Sequence, residues 1–504
     1  MPLWSYRSTL PVSSPFVATY ALEVDWADDG NFTGTYDDLG STLFDAQYYY
    51  GRDYASQLVG QSMAGTLRAH LLNTDGRYSS FNAASPLYGN LLPKRRVRLR
   101  SVNTDRNLWT GFLSGPPHPT AIQGTVPKAE LNAVGPLALL GRSSLKISPP
   151  AMVHAKTGAI INAILDAAGW PAADRIIDAG EVTLGHWFVE NIGVLEALQQ
   201  IVEAEGGFLR EGTNWDIVFE GRYHRFSSTP SAVSQGSFSD SAVAQLPYRG
   251  VTQDDPLRAI FNRVEVGVSQ YRQDAAFVEL WRMEPISLQP GESRTIIAAF
   301  TDRTVAFITT GLSTAKTVIP ASIDASVTWT EVITAHRVAY TITNSHATLA
   351  AEVMLVLTGR PWREVSKSLV MREDVVSQGK YDLRTYPFSS PWFFNLAYAD
   401  SAAQWVLATY KDPHPVMGLT FPIKPDDLWL QTVMRALSHR ITLTANSVAT
   451  QLGVNQDFYI EGMGLVLPHE GIPQFSMILS PANANPGYFT LDVSTLGGGA
   501  PIAY

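Results

Sequence analysis

Cysteine is missing from all 504 residues. Its absence excludes disulfides, thiol catalysis and Cys-ligated zinc, and leaves the redox compartment undetermined. Charge is also scarce, at 16% of residues against the ~25% usual in soluble domains. A surface so short of charge fits one covered by partners, and equally a Ser/Thr-rich β surface that needs none. The charge that is present leans acidic, with a formal net of −9, which argues against gripping nucleic acid. No apolar run reaches the ~18 residues of a membrane span. Met1-Pro2-Leu3-Trp4 lacks the basic start and apolar stretch of a signal peptide. Gly-rich phosphate loops, His-Glu-x-x-His helices and Gly-x-Ser-x-Gly elbows do not occur, and the ten histidines are scattered rather than set in metal-ligand spacing. No catalytic, cofactor or metal residue is therefore assigned.

What remains is packing material. Hydrophobic residues make up 45% of the chain, and such a length sets an expectation of about three or four domains. The clearest pattern centres on Thr66-Leu67-Arg68-Ala69-His70-Leu71-Leu72, where Leu67, Ala69 and Leu71 alternate with polar residues as in a half-buried strand. It breaks at Asn73-Thr74-Asp75-Gly76, where Asn and Asp can bond nearby backbone and Gly76 can take a positive φ. A long loop follows whose Phe81, Leu87, Tyr88, Leu91 and Leu92 predict packing rather than free motion. A basic strand, Val97–Arg100, closes the unit.

Upstream, residues 18–26 alternate apolar even positions with Thr19, Glu23 and Asp25, again a strand with one buried face. At its end Asp25, Asp28 and Asp29 form an oxygen-rich loop that a cation would suit. The spacing misses the EF-hand pattern, so turn formation is favoured. Lys94, Arg95, Arg96, Arg98 and Arg100 resemble a phosphate-contacting cluster. Alternation with Val97 and Leu99 puts the arginines on an outer strand face instead, solvated or bridging to a neighbouring subunit.

From residue 121 the texture changes. Ile160, Ile161, Ile164, Leu165 and Ala168 keep helical spacing, with Thr157 expected as N-cap and Gly169 and Pro171 as the stop. A second helix carries Val194, Leu195, Leu198, Ile201 and Val202, ends at Gly206-Gly207 and leads into a hairpin. Glu203 and Glu205 at its end read as solvated rather than as a glycosidase pair, although a pair drawn from distant segments stays open. Residues 226–248 read as a linker by composition. Residues 285–365 predict a β-sandwich from runs at 295–300, 304–308, 327–332, 338–342 and 353–357. Trp329 and Tyr340 are candidates for a sugar-binding platform there, and fit a strand core better. A helix over 399–410 and strands at 418–421, 440–443, 457–466 and 475–479 complete the chain. The Gly-rich end at 496–501 reads as a flexible end or docking strap.

Asn73-Thr74-Asp75-Gly76-Arg77-Tyr78-Ser79, followed by Ser85-Pro86-Leu87-Tyr88-Gly89-Asn90 and a basic strand, resembles the minor tail proteins of long-tailed bacteriophages. Leu22–Phe32 and Gly51–Gln57 are similar to them too. The match is densest over residues 17–112 and returns around 258–268, 357–379 and 458–467. The resemblance implies a mainly β, multidomain protein. Residues 1–120 would form a first tube-like β domain, and 246–284 with 366–504 a discontinuous second. An α/β unit with its linker at 121–245 and the sandwich at 285–365 would be inserted. It further implies a virion protein at the distal end of the tail, a hub ring that caps or extends the tube and lets DNA pass without specific binding. Copies would form a homotrimer, giving a pseudo-sixfold circle. The partners would be tail-tube, distal-tail, tape-measure and fibre or tip proteins. A glycan-binding adhesin working through the sandwich is one alternative, and a cell-wall or polysaccharide hydrolase another.

Overall fold

The structure is a computed structural model. It describes residues 4–5, 19–52, 62–145, 150–189, 192–241, 246–254, 260–300, 302–309, 311–388, 390–413, 415–423, 426–447 and 450–482. The Gly-rich stretch 496–501 lies outside the described residues. Strands dominate, at 44% against 18% helix, and they fall into several separate sheets, so the protein is mainly β and multidomain.

The largest sheet holds fourteen strands drawn from both ends of the chain. Its path runs through Trp4–Ser5, Thr19–Val24, Arg96–Ser101, Arg106–Leu113, Lys128–Val134, Ser62–Leu72 and Leu43–Arg52. It then crosses into Val454–Leu467, Gln474–Pro481, Val416–Pro422 and Gly250–Asp254. Strand Ser62–Leu72 behaves as its alternation predicts, with Leu67, Ala69 and Leu71 essentially sealed from solvent. At the turn, Asn73 Oδ1 accepts from Tyr78 N at 3.1 Å and Gly76 has φ +68°. The following loop packs only in part. Tyr78, Leu87 and Leu91 are buried, whereas Phe81, Tyr88 and Leu92 are exposed. Successive one-turn bends, such as Asn82 N to Ser79 O and Ser85 N to Asn82 O, carry its side chains to both faces.

The crossing point is the antiparallel pairing of Leu43–Arg52 with Val454–Leu467, where Gly51 faces Gly462. A Cβ on Gly51 would stand 2.5 Å from the Gly462 Cα, so the two backbones approach as only glycine permits. One hydrophobic core runs through both halves, from Tyr20 to Leu479.

Between the halves sit two other bodies. The first has helices Pro136–Arg142, Thr157–Ala167 and Val194–Glu205 over a small sheet of Arg175–Ile177, Ile217–Glu220 and Phe208–Glu211. Ile160, Ile161, Ile164 and Leu165 are all buried, as their spacing predicts. Thr157 is the first helical residue rather than the cap, because its hydroxyl donates to Glu205 Oε2 at 2.8 Å. Residues 226–248, read as a linker, instead contain helix Thr229–Ala232 and strand Ser237–Ser239, which pairs with Arg440–Ala445 of the large sheet. Strand Arg263–Gln273 stands outside that sheet. It pairs with Trp362–Glu373 and Thr385–Pro387, and its Val264, Val266 and Val268 share a core with the α/β helices and with helix Leu396–Tyr410.

The second body is a sandwich. One sheet holds Val278–Arg282, Ile286–Leu288, Ser313–Ile319 and Ala351–Gly359, and the other Ser293–Ala299, Val327–Ile333 and Arg337–Asn344. Residues 304–308 form no strand. Phe307 there makes a single bridge to Trp362 and fills an aromatic cluster with His186, Phe188 and Tyr271. No helix among the described residues is long and apolar enough to cross a membrane.

Candidate functional site

The place where the large sheet's halves meet the α/β body holds the most concentrated charge in the interior. Strand Val454–Leu467 is apolar from Phe458 onward except for Glu461. Its register against Gln474–Pro481 shifts between Ile460 and Gly462, so Glu461 sits at a bulge. There its carboxylate accepts from Arg225 Nη1 at 2.7 Å and Nη2 at 2.9 Å, and from Arg52 Nε at 3.0 Å. Ser480 Oγ donates as well. The two guanidinium groups each lie 4.1 Å from the Phe208 ring, and Arg225 also covers Tyr459. Flat cations against aromatic faces lose less on burial than isolated ones. Burial pushes the Glu461 carboxyl up, but the charges of Arg225 and Arg52 outweigh it and hold the group at about 2.

The network continues inward. Arg225 Nη2 donates to Ser438 Oγ at 3.1 Å, and Ser438 bonds Glu220. Glu220 accepts from Arg210 Nε at 2.6 Å, and His224 bonds Asp178 at 2.8 Å. Burial opposes protonation of His224, yet Asp178 and Glu220 prevail and raise its pKa. The charged members around Glu461 and Glu220 come from strand Leu43–Arg52, from the hairpin 208–220 with the short helix His224–Ser227 after it, and from strand Val454–Leu467. The arrangement therefore fixes three separate parts of the chain to one another. Its charges are mutually satisfied, which suits it to holding geometry rather than to moving protons.

A second pin lies nearby. Glu211 accepts from Gly65 N and from Leu137 N, both at 2.8 Å, tying the hairpin to strand Ser62–Leu72 and helix Pro136–Arg142. Burial pushes its carboxyl up to about 7, against the pull of those two amides.

The residues singled out from sequence fall elsewhere. Asp25 is buried and accepts from Asp29 N at 3.2 Å and Gly30 N at 2.9 Å, while Asp28 pairs with Arg95. These carboxylates do turn work. Arg98 and Arg100 both bind Glu23, at 2.6 and 2.9 Å, and Arg96 lies over Trp215. Arg98 and Arg100 are thus paired inside their own chain, while Lys94 stays exposed. Glu23 is correspondingly buried, and strand Thr19–Val24 is covered on both faces rather than one.

Glu203 and Glu205 are also buried, contrary to their reading as solvated. Glu205 accepts from Thr157 Oγ1, Glu181 N and Val182 N, and Glu203 accepts from Tyr386 at 2.6 Å. Helix periodicity gives no warning of this, because the partners come from sequence-distant loops. Tyr340 lies in the sandwich core, with its hydroxyl on Thr314, while Trp329 is half-buried. Glu461, Arg52 and Arg225 were not singled out. The signal available was a lone carboxylate inside an otherwise uncharged strand, which has to meet a cation if that strand is central.

No family model matches the chain, and no curated protein matches it. Among solved structures, it is similar to a tail protein from Neisseria meningitidis at 11% identity, covering 92% of this chain and 96% of that one with a TM-score of 0.50. The 43 kDa tail protein of prophage MuSo2 from Shewanella oneidensis aligns at 10% identity over 92% and 98%, with a TM-score of 0.48. Prophage tail protein gp18 from Listeria monocytogenes aligns at 9% over 91% and 94%, with 0.40. A mainly β, multidomain chain aligned almost from end to end with the Neisseria protein thus shares the fold of that tail protein.

Proposed function

We propose that this chain is a structural virion protein at the distal end of a long-tailed phage tail. There, three copies form a hub ring that caps or extends the tube, anchors receptor-contacting parts and gives DNA a path. The carrying observation is the fourteen-stranded sheet that runs unbroken from one half of the chain into the other. Its path starts at Trp4–Ser5 and stops at Gly250–Asp254, two edges that suit pairing with neighbouring copies. In this reading the two halves of the sheet are the tube-like parts, the bodies near 121–245 and 285–365 are insertions, and three chains give a pseudo-sixfold circle. Neighbouring tail-tube, distal-tail, tape-measure and fibre proteins are its partners. DNA slides past a lumen that is neutral or weakly acidic.

Imaging of the intact tail tip with a count of copies per virion tests this. A threefold ring with an open channel is the expected result. One copy per virion, or a closed assembly without a threefold axis, overturns it. The adhesin reading rests on Trp329 of the sandwich, and a glycan array separates it. Zymography on host cell walls separates the hydrolase reading, and no released fragments are expected.

A further inference from the structure

Three segments converge on a cavity of about 390 Å³. They are the start of strand Arg106–Leu113 with the turn before it, the hairpin tip around Asn214, and the end of helix Asp426–Met434 with the residues after it. Arg106 and Arg435 both line it. Among the described residues neither arginine has an ion-pair partner, whereas the buried Arg52 and Arg225 both pair with Glu461. The carboxylate at the rim, Asp105, is taken by Arg100 at 3.1 Å. Arg435 is half-buried, and its Nε is enclosed with no hydrogen-bond partner. Burial lowers its pKa from the ordinary guanidinium value, the mark of a desolvated cation without compensation.

Apart from Asp105, the lining adds donors rather than carboxylates. Asn107 Nδ2 donates to Asn214 Oδ1 at 2.9 Å, leaving the Asn214 amide nitrogen to donate onward. His439 Nδ1 accepts from Ala436 N at 3.3 Å, so the neutral ring carries its proton on Nε2. Burial and the Arg435 charge together hold His439 down at about 4. Further in lie Arg210, Glu220 and His224, which are already bonded to one another or to Asp178.

We infer that this cavity is a binding site for a phosphate-bearing small anion, gripped by Arg435 and Arg106 with amide help from Asn214. Guanidinium groups match phosphate oxygens in pairs, and a partly dry, polar cavity strengthens each such bond. The volume exceeds what a bare phosphate fills, so a phosphorylated saccharide is accommodated as well as the free ion. Such a ligand ties the Arg435 segment to the two already joined through Asn107 and Asn214, and thereby stiffens the junction of the large sheet with the α/β body.

Calorimetric titration of the full chain at constant ionic strength tests the site with inorganic phosphate, glucose 1-phosphate and glucose. Saturable binding of one or both phosphate compounds, with none for glucose, is expected. Saturation by inorganic phosphate identifies the free ion as sufficient, and saturation by glucose 1-phosphate alone identifies a phosphorylated saccharide. Arg435→Gln and Arg106→Gln each weaken binding tenfold or more. NMR titration should show the His439 pKa rising when phosphate is present, since the ligand cancels the Arg435 charge. Without ligand, Arg435→Gln melts no lower than the parent, which a purely structural arginine would not allow. The inference fails if no phosphate compound saturates, or if binding is unchanged in both variants and so comes from an adventitious ion only. Arg106 is exposed, so its variant decides the matter even if Arg435→Gln does not fold.

Discussion

Arg225 grips Glu461 with both terminal nitrogens, at 2.7 and 2.9 Å, across 236 residues of sequence. The pair is almost entirely sealed, with 5% and 2% of the side chains exposed. Replacing Glu461 by Ala strands Arg225 and Arg52 in the interior, and removing one partner of a buried pair costs about 3–5 kcal/mol. Denaturant unfolding should register that loss. Arg225→Leu combined with Glu461→Leu should lose less than the two single changes added together, since neither strands the other, although Arg52 still loses its carboxylate.

The same carboxylate makes the fold acid-sensitive in a defined window. Its folded pKa, about 2, lies below the unfolded value of 4.5. The stability it confers is therefore complete above pH 4.5 and drains away as pH falls from there towards 2. The difference in melting temperature between the parent and Glu461→Ala should shrink across that range. A difference that stays constant down to pH 2 contradicts the assignment.

Glu211 acts in the opposite sense. Its folded pKa, about 7, lies above its unfolded value of 4.5. Ionisation of the unfolded chain then withdraws stability as pH rises from 4.5 to 7, by up to about 3 kcal/mol. Parent and Glu211→Gln should converge in stability across that interval as pH rises. Parallel curves remove the effect.

Gly76→Val tests the turn on which the N-terminal half depends. The glycine has φ +68°, and a Cβ there would meet Asn82 Nδ2 at 3.0 Å. Backbone strain alone costs about 1–3 kcal/mol. Displacing Asn82 also breaks its bond to Gly76 O, so the loop holding Leu87 and Leu91 should show faster amide exchange.

The sandwich offers a test of its boundary. Strand Val278–Arg282 pairs with Ala351–Gly359, and Leu280 and Met283 are buried in its core. A fragment of residues 276–361 should melt cooperatively by calorimetry, and one of residues 285–365 at a lower temperature, for want of that strand. Equal melting temperatures exclude this boundary.

Local pattern carried much of this architecture. Ile160 to Leu165, Leu67 to Leu71 and the strands near 418, 440, 457 and 475 were legible because each buries a face set by its own period. The pairing of Leu43–Arg52 with Val454–Leu467 was not, since nothing in either strand names a partner so far away. Buried charge was the other blind spot. Glu23, Glu205 and Glu461 look like surface residues until the cations and amides that face them are known. The Arg435 cavity was hidden for the same reason, as its three segments meet only in the fold.

The join between Leu43–Arg52 and Val454–Leu467 also sets a clock. Roughly 400 residues separate the two strands, and a ribosome adding about 5–20 residues each second needs ~20–80 s to bridge them. Through that interval the nascent chain carries an open, aromatic-rich strand edge at Tyr48, Tyr49 and Tyr50. Only a chain synthesised as far as Val454–Leu467 can seal that edge, so products truncated before it keep a sticky end and are marked for chaperones or proteolysis.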